Sequence, residues 1–208
     1  MNFELSEEQK MIQQSVERFV QENYDLPKRV EISSKDPGYS KDYWGSMAEL
    51  GWLGLPFNEE DGGFGGNQID TLVIMEQFGK GLVLEPFLAN VVLGGGAIQM
   101  GGSEELKKEI LPSLIEGTKQ VTLAYAEQQS RFDLEDVATS ARLEGDKYII
   151  NGQKSMVLNA ESADHLVIVT RTNGGQVDEK GITLFLVDSD TKGLEKQNFP
   201  TVDGLRAS

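Results

Sequence analysis

Few side chains in this sequence of 208 residues could do chemistry on their own. It contains one histidine, His165, and no cysteine, which excludes cysteine nucleophiles, thiolate zinc sites, iron–sulfur clusters and sites with two or three histidines. No nucleophile motif accompanies His165, which favours a structural or surface role. The acidic runs 59–61 and 133–136 could suggest a metal or an acid–base pair, but neighbouring loop residues point in different directions. We interpret them as solvated charge and predict neither a catalytic residue nor a metal ligand.

Glu127 has a more specific setting than the other acidic residues. It ends an alternating segment that begins at Val121, just where the polar loop 128–131 starts. A carboxylate at the junction of a strand and a loop can bind a ligand or hold the loop in place. The sequence leaves both roles open.

The charge balance of the chain disfavours one class of partner, nucleic acid. The chain has 34 acidic and 19 basic residues, a formal net charge of −15, and no segment concentrates lysine or arginine. Binding to nucleic acid is therefore disfavoured. The first residues lack the pattern of a signal peptide, and the longest apolar segment, 87–93, is too short to span a bilayer. We predict a cytoplasmic protein with no membrane partner.

The elements that must position these residues are helical before residue 117. Apolar residues recur there at helical spacing, and Ser6 with Gln9 forms a capping box. The segment 87–100 is apolar on nearly every face, which predicts a helix buried between others. Its glycines 94–96 indicate a close approach to the backbone or a break in the helix. The predicted helices cover residues 6–23, 43–50, 69–79, 87–100 and 103–117.

After residue 117 the apolar spacing falls to two, which is typical of strands. Turn sequences at 144–146, 151–152 and 173–175 separate these strands and favour an antiparallel barrel or sandwich. No phosphate loop or GxGxxG motif follows a strand. We therefore predict an α+β chain, with an all-helical N-terminal domain over 1–117 and an antiparallel β-barrel-like middle domain over 118–208.

Short motifs along the chain resemble those of the acyl-CoA dehydrogenases. Each is brief, but they occur in the family's order along nearly the whole chain, and this makes the set specific. The motifs are FELSEEQ (3–9), MAELGWLGLP (47–56), EEDGG (59–63), GSEELKK (102–108), NGQK (151–154) and DGLR (203–206).

The resemblance implies an FAD-dependent oxidoreductase of fatty acid metabolism that dehydrogenates an acyl-CoA thioester between its α- and β-carbons. In that family a C-terminal helical bundle carries the glutamate base, whereas this sequence ends at Ser208. We therefore expect a truncated middle domain, and a fragment or subunit that is inactive alone. The resemblance also implies an oligomer, homomeric or heteromeric, with acyl-CoA dehydrogenase-like subunits and a flavoprotein that accepts the electrons.

The same resemblance places flavin contacts on two segments. The family's strand that ends in Thr-Glu corresponds to residues 123–127, and its Trp-Ile-Thr motif corresponds to residues 156–158. Ala126 and Leu158 lack the threonine hydroxyls, so Leu158 offers only its backbone amide, while Met156 can still pack against a ring. The predicted cofactor-binding residues are Leu123, Tyr125, Ala126, Glu127, Met156, Val157 and Leu158.

Substrate contacts are implied for the loop that follows. The family's Pro-x-Ala-Gly-Ser-Asp motif corresponds to residues 128–133, where Asp133 agrees and Phe132 replaces the serine. Arg131 is the basic residue of this loop, and phosphate contact and a solvated arginine both stay open for it. The helix at 87–100 is a candidate wall for the acyl tail, with core packing as the alternative. If it lines the tail, Gly95→Leu should reject long acyl chains selectively.

These departures from the family motifs leave more than one function open. The favoured one is a working flavoenzyme subunit that holds FAD mainly through backbone groups, because the strand and hairpin motifs around the site remain. The alternative is a non-catalytic structural subunit of a heteromeric acyl-CoA dehydrogenase with a degenerate flavin site. An acyl-CoA oxidase or a flavin monooxygenase on the same scaffold is a third possibility. Since FAD and CoA carry phosphates, this acidic chain is expected to need cations from a neighbouring subunit.

Overall fold

The computed structural model describes residues 4–208, so Phe3 of the first motif lies outside the described residues. Within them the helices come first, and those predicted from the sequence are confirmed. The helices are α1 (Glu7–Asn23), α2 (Leu26–Ser33), α3 (Lys41–Glu49), α4 (Gln68–Gly81), α5 (π-helical over Leu88–Gly95 and α-helical over Gly96–Gly101) and α6 (Glu104–Ile115).

Helix ends follow the predicted capping residues. Ser6 and Gln9 make both bonds of the capping box at the start of α1, and Ser103 accepts from Leu106 N–H at the start of α6. The helix that sequence periodicity missed, α2, is short and buries none of its residues. A helix without a buried face has no apolar period to detect.

Helix α5 packs closely through its glycines. A Cβ atom at Gly94 would lie 2.4 Å from the carbonyl oxygen of Val121, and one at Gly95 would lie 2.5 Å from the ring of Phe57. The helix continues through the glycines, so they permit close approach and do not break it. Gly95 lies in the core, and a leucine there would collide with Phe57 and would not narrow an open cavity, which argues against the expected selection of acyl chain length.

The strands form one five-stranded sheet and one two-stranded sheet within residues 4–208. Helix residues share a core with Val121 and Val167 of the larger sheet, so the helices pack directly on it. The strands are β1 (Val121–Ala124), β2 (Ser140–Glu144), β3 (Lys147–Asn151), β4 (His165–Arg171), β5 (Ile182–Asp188), β6 (Phe199–Pro200) and β7 (Arg206–Ala207).

The α+β class is confirmed, but the larger sheet is mixed. β4 is antiparallel to β5 and parallel to β1, with Val121 opposite His165 and Ala124 opposite Ile168. The reason is the long connection from β1 to β4, which contains the β2–β3 hairpin and returns the chain so that β4 runs in the direction of β1. Within residues 4–208 the sheet does not close into a barrel, because its end strands β1 and β3 do not pair.

No helix within the described range is long and apolar enough to cross a membrane.

Candidate functional site

The two segments predicted to contact flavin lie side by side. The N–H of Ser155 donates to the carbonyl oxygen of Ala126 at 2.9 Å, and the hydroxyl of Thr122 donates to the carbonyl of Leu158 at 2.6 Å. The β2–β3 hairpin separates these segments in sequence. The fold therefore brings together residues 122–127 and 154–158 at the end of β1.

The second segment is held from its other side by the end of the described chain. Val157 exchanges backbone hydrogen bonds with Ser208 at 2.9 and 3.1 Å, so its backbone is fully used. The N–H of Leu158 has no acceptor within residues 4–208. Met156 is 52% exposed and has a φ of 54°, a left-handed conformation that is uncommon for methionine. The exposed methionine and the unpaired amide are the groups of this segment that remain open to a ligand.

The first segment ends on Glu127, whose side chain is only 3% exposed. Its carboxylate accepts from the N–H groups of Ala138 at 2.9 Å and Thr139 at 3.0 Å. It also accepts from Gln129 at 2.7 Å and from Lys154 Nζ at 2.6 Å. Of the two roles left open by the sequence, these bonds show that the side chain holds the loop of residues 128–139 in place.

These contacts determine the charge states of Glu127 and Lys154. Burial alone would raise the pKa of Glu127, but hydrogen bonds from Lys154, Thr139 and Gln129 outweigh it and lower the pKa to about 2. Burial lowers the pKa of Lys154, and its bond to Glu127 opposes that change. Lys154 also donates to the carbonyl of Tyr125 at 3.3 Å. The buried ion pair therefore connects the two segments predicted to contact flavin and the loop between them.

The residues predicted to contact substrate, Arg131 and Phe132, lie on the tip of that loop. Phe132 is 99% exposed, and Arg131 has a φ of 49° and no hydrogen bond or ion pair within the described part of the chain. Neither lines the cavity described below. Tyr125 is also exposed, whereas Leu123 is half-buried against the core.

The guanidinium group of Arg171 holds the same loop in place through hydrogen bonds, a role that its sequence position did not indicate. The residue is 7% exposed, and its guanidinium donates to the carbonyls of Glu135, Gln176, Asp178 and Lys180 at 2.7–2.8 Å. Four carbonyls around one cation fix the loops at 131–138 and 173–181 relative to β4. No sequence signal distinguished this arginine from a surface one.

A cavity of about 250 Å³ lies between the helices and the segment that contains Leu158. We call it the interlayer cavity. Its wall is mostly apolar and includes Leu88 and Ala89 at the start of α5 and Phe87 just before them, so one end of the predicted acyl-tail helix borders it. The cavity is lined by Arg29, residues 37–39, Met75, Phe78, Gly79, residues 82–89, Leu158, Asn159, Asp203, Leu205 and Arg206.

Glu85 is a buried acid in the wall of this cavity. It is 5% exposed, accepts a hydrogen bond from the hydroxyl of Tyr24 and accepts another from the N–H of Ser40 at 3.1 Å. Burial raises the pKa of Glu85. Sequence reasoning missed Glu85, because its partners come from helices far away in the chain.

A buried polar network connects the cavity wall to the sheet. Gln120 donates to the hydroxyl of Tyr39 at 2.7 Å and accepts from the amide of Asn159 at 2.8 Å. Tyr39 and Asn159 both line the interlayer cavity. The network fixes Asn159, and with it the neighbouring Leu158.

The other candidate residues lie elsewhere. His165 Nδ1 lies 2.9 Å from a carboxylate oxygen of Asp188 on the neighbouring strand. Residues 59–61 form a short 3₁₀ turn in which Asp61 is buried. No group of three or more potential metal ligands occurs among the described residues.

Comparison with known proteins gives a consistent result over both halves of the chain. Residues 6–118 match the family model "Acyl-CoA dehydrogenase, N-terminal domain", and residues 122–208 match "Acyl-CoA dehydrogenase, middle domain".

Individual relatives agree with these family models. The "probable acyl-CoA dehydrogenase YngJ" of Bacillus subtilis is 34% identical over 197 residues, which are 93% of this chain and 51% of that protein. The short-chain specific acyl-CoA dehydrogenase of Clostridium acetobutylicum is 32% identical over 213 residues, which cover 100% of this chain and 55% of that protein. A solved structure, the FAD complex of PigA, has a TM-score of 0.87 and 27% identity, and covers 100% of this chain and 55% of that one. The chain spans about half the length of the curated relatives it matches.

Proposed function

Because the chain belongs to the acyl-CoA dehydrogenase family, we propose that it binds FAD and serves the α,β-dehydrogenation of an acyl-CoA thioester. The observation that carries this proposal is the position of Leu158. Its unpaired backbone amide belongs to the predicted flavin segment, and the same residue lines the interlayer cavity. A reaction between a flavin and an acyl group needs both binding regions to meet, and Leu158 would be the residue at which they do.

The residues at the end of β1 fit an isoalloxazine ring better through backbone and apolar contacts than through hydroxyls. Leu158 would donate its amide, while Met156 and Tyr125 offer exposed apolar surface for ring packing. FAD, when bound, supplies the acceptor for the hydride that leaves the β-carbon. The similarity to a protein solved as an FAD complex supports this cofactor.

The interlayer cavity would bind the acyl group and exclude water from it. Its walls at Phe87, Leu88 and Leu84 are apolar, as an acyl chain requires. Helix α5 would contribute only its first turn to this wall, since its glycines are buried against β1 and Phe57.

We assign no residue of this chain the role of the base that removes the α-proton. The two buried carboxyl groups near the site are already engaged, Glu127 with Lys154 and Glu85 with Tyr24. We therefore propose that another part of the assembly supplies the base, and that the chain alone is inactive. We further propose a cytoplasmic oligomer of acyl-CoA dehydrogenase-like subunits that passes electrons to a second flavoprotein.

A second candidate function is a structural subunit without flavin. Ala126 and Leu158 favour it, because neither provides the hydroxyl that the family places at these positions, and Ser155 already occupies the carbonyl of Ala126. The two candidates predict different colours for the same protein.

The test is the visible absorption spectrum of the protein purified under native conditions with its accompanying subunits. Flavin bands that bleach when an acyl-CoA is added would support the dehydrogenase. A colourless complex that does not take up added FAD would support the structural subunit and overturn the first proposal. The complex must be kept intact, since a chain separated from its partners could lose flavin for lack of half a site.

A further inference from the structure

The interlayer cavity has an apolar interior and a cationic rim. Of the basic residues in the chain, Arg29 and Arg206 are the two that line it. Both are partly exposed, and Leu82 and Asp203 of the same lining are exposed, whereas Leu84 and Phe87 are buried, so the arginines belong to the part of the cavity that faces solvent. They come from opposite ends of the sequence, α2 and β7, and the fold brings them to one opening.

The two guanidinium groups keep hydrogen-bond donors free. Arg29 donates from Nε to the carbonyl of Leu82 at 2.8 Å and from Nη2 to the carbonyl of Asp203. Arg206 uses Nη2 for the carbonyl of Ser33 at 3.4 Å. Nη1 of both groups has no acceptor within residues 4–208. A guanidinium presents five N–H donors, so each group can still bind an anion.

Nearby acids neutralise these cations only in part. Arg29 forms no ion pair within the described residues, and Arg206 is 3.5 Å from Asp36, which is 88% exposed and therefore screened by solvent. Asp203 lines the same rim and its charge interacts with that of Arg29, but its carboxylate accepts hydrogen bonds from Thr201 and the N–H of Leu205 and forms no ion pair with the arginine. In a chain of net charge −15, two incompletely neutralised arginines at the opening of an apolar cavity indicate a functional role for their positive charge.

We propose that Arg29 and Arg206 form an anion subsite at the rim of the interlayer cavity, which binds a carboxylate or phosphate group of the acyl thioester. The inference rests on the proposed function and names its substrate class. An apolar chain would fill the interior while its anionic group contacts the rim. The anion has two possible sources, a carboxylate at the far end of the acyl chain or a phosphate of CoA.

The experiment separates these sources with four probes: hexanoyl-CoA, adipyl-CoA and the pantetheine thioesters of the same two acyl groups. Adipyl and hexanoyl have the same number of carbons and differ in the terminal carboxylate, and pantetheine lacks the phosphates of CoA. Dissociation constants are measured by isothermal titration calorimetry on the purified protein with its accompanying subunits. The variants are Arg29→Gln and Arg206→Gln, with Arg142→Gln, an exposed arginine on β2, as the matched control.

A charge-assisted hydrogen bond accounts for roughly tenfold or more in affinity. If the anion is the acyl carboxylate, each glutamine variant should bind both adipyl thioesters about tenfold more weakly and leave hexanoyl binding unchanged. If it is a CoA phosphate, the loss should fall on both CoA thioesters and on neither pantetheine thioester. Arg142→Gln should match the unmodified protein in either case.

Equal affinity of the unmodified protein for all four probes would overturn the subsite, and this comparison needs no variant to fold. The subsite would also be overturned if the glutamine variants kept the melting temperature of the unmodified protein and bound every probe with unchanged affinity. If no thioester binds, the proposed function fails as well, which distinguishes that failure from failure of the subsite alone.

Discussion

Replacing Lys154 by methionine tests whether the buried ion pair stabilises the candidate site. Methionine keeps most of the length of the lysine stem but removes the ammonium group that lies 2.6 Å from Glu127. Glu127 would then be a buried carboxylate without a cation, because only 3% of its side chain is exposed. Removing one partner of a buried ion pair typically costs about 3–5 kcal/mol in the free energy of unfolding.

The pKa of Glu127 indicates how the same contacts respond to pH. Together the hydrogen bonds from Lys154, Thr139 and Gln129 lower it from 4.5 to about 2, and at about 1.4 kcal/mol per pH unit this corresponds to about 3 kcal/mol for all of them, of which Lys154 supplies a part. Because this pKa is depressed, the stabilisation is present above pH 4.5 and is lost as the pH falls towards 2. Glu127→Gln cannot ionise, so its unfolding free energy should not show this acid-dependent loss.

The assay is urea unfolding followed by the fluorescence of Trp44 and Trp52, which are each 4% exposed and report loss of the core. Arg142→Met is the matched control, since Arg142 and Glu144 form an exposed pair with side chains 74% and 55% accessible. Such a pair contributes about 0–1 kcal/mol. If Lys154→Met lost no more stability than Arg142→Met, the assignment of a stabilising role to the buried pair would be wrong.

Other changes test the cavity wall, the flavin segments and the core. Burial raises the pKa of Glu85, so its favourable contribution to the free energy of unfolding is present below pH 4.5 and is lost as the pH rises through the folded-state pKa. Glu85→Gln should therefore gain stability relative to the unmodified protein as the pH rises. Urea unfolding at several pH values measures this, and a stability difference that stayed constant with pH would contradict it. Ala126→Thr and Leu158→Thr restore the hydroxyls of the family motifs, and each should improve FAD retention about fivefold. Retention is measured by the fluorescence of released flavin, and unchanged retention would argue against flavin contact at residues 126 and 158. Gly95→Leu should lower the melting temperature without altering preference for acyl chain length, because the new side chain collides with Phe57; a normal melting temperature would count against that packing.

Much of the fold could be predicted because it depends on local patterns. Caps at Ser6 and Ser103, apolar period and turn glycines such as Gly145 are readable from neighbouring residues. The parallel pairing of β1 with β4 could not be predicted that way, since it depends on where a long connection returns the chain. The helix α2 escaped detection for the opposite reason, because it contacts too little of the core to show a period.

The candidate site was predictable only where its residues belong to one short motif. The resemblance predicted flavin contacts at residues 123–127 and 156–158, and the adjacency of these segments depends on contacts such as the hydrogen bond from Thr122 to Leu158, which no spacing encodes. Glu85, Arg171 and Arg206 were missed because each acts through partners from distant segments. A single sequence does not distinguish a buried charged residue from an exposed one of the same type.

The π-helical first half of α5 has a consequence for deletions in this region. A π-helix closes its hydrogen bonds five residues apart, so it holds more residues per turn than an α-helix. Five α-helical steps of about 100° turn through nearly the same angle as six π-helical steps of roughly 82°. Removing one residue between Leu88 and Gly94 and rewinding the segment as an α-helix would therefore leave Gly94 facing the carbonyl of Val121. The π winding thus fits one more residue between the end of α5 that borders the cavity and the glycines that seat it on the sheet, without changing their relative phase.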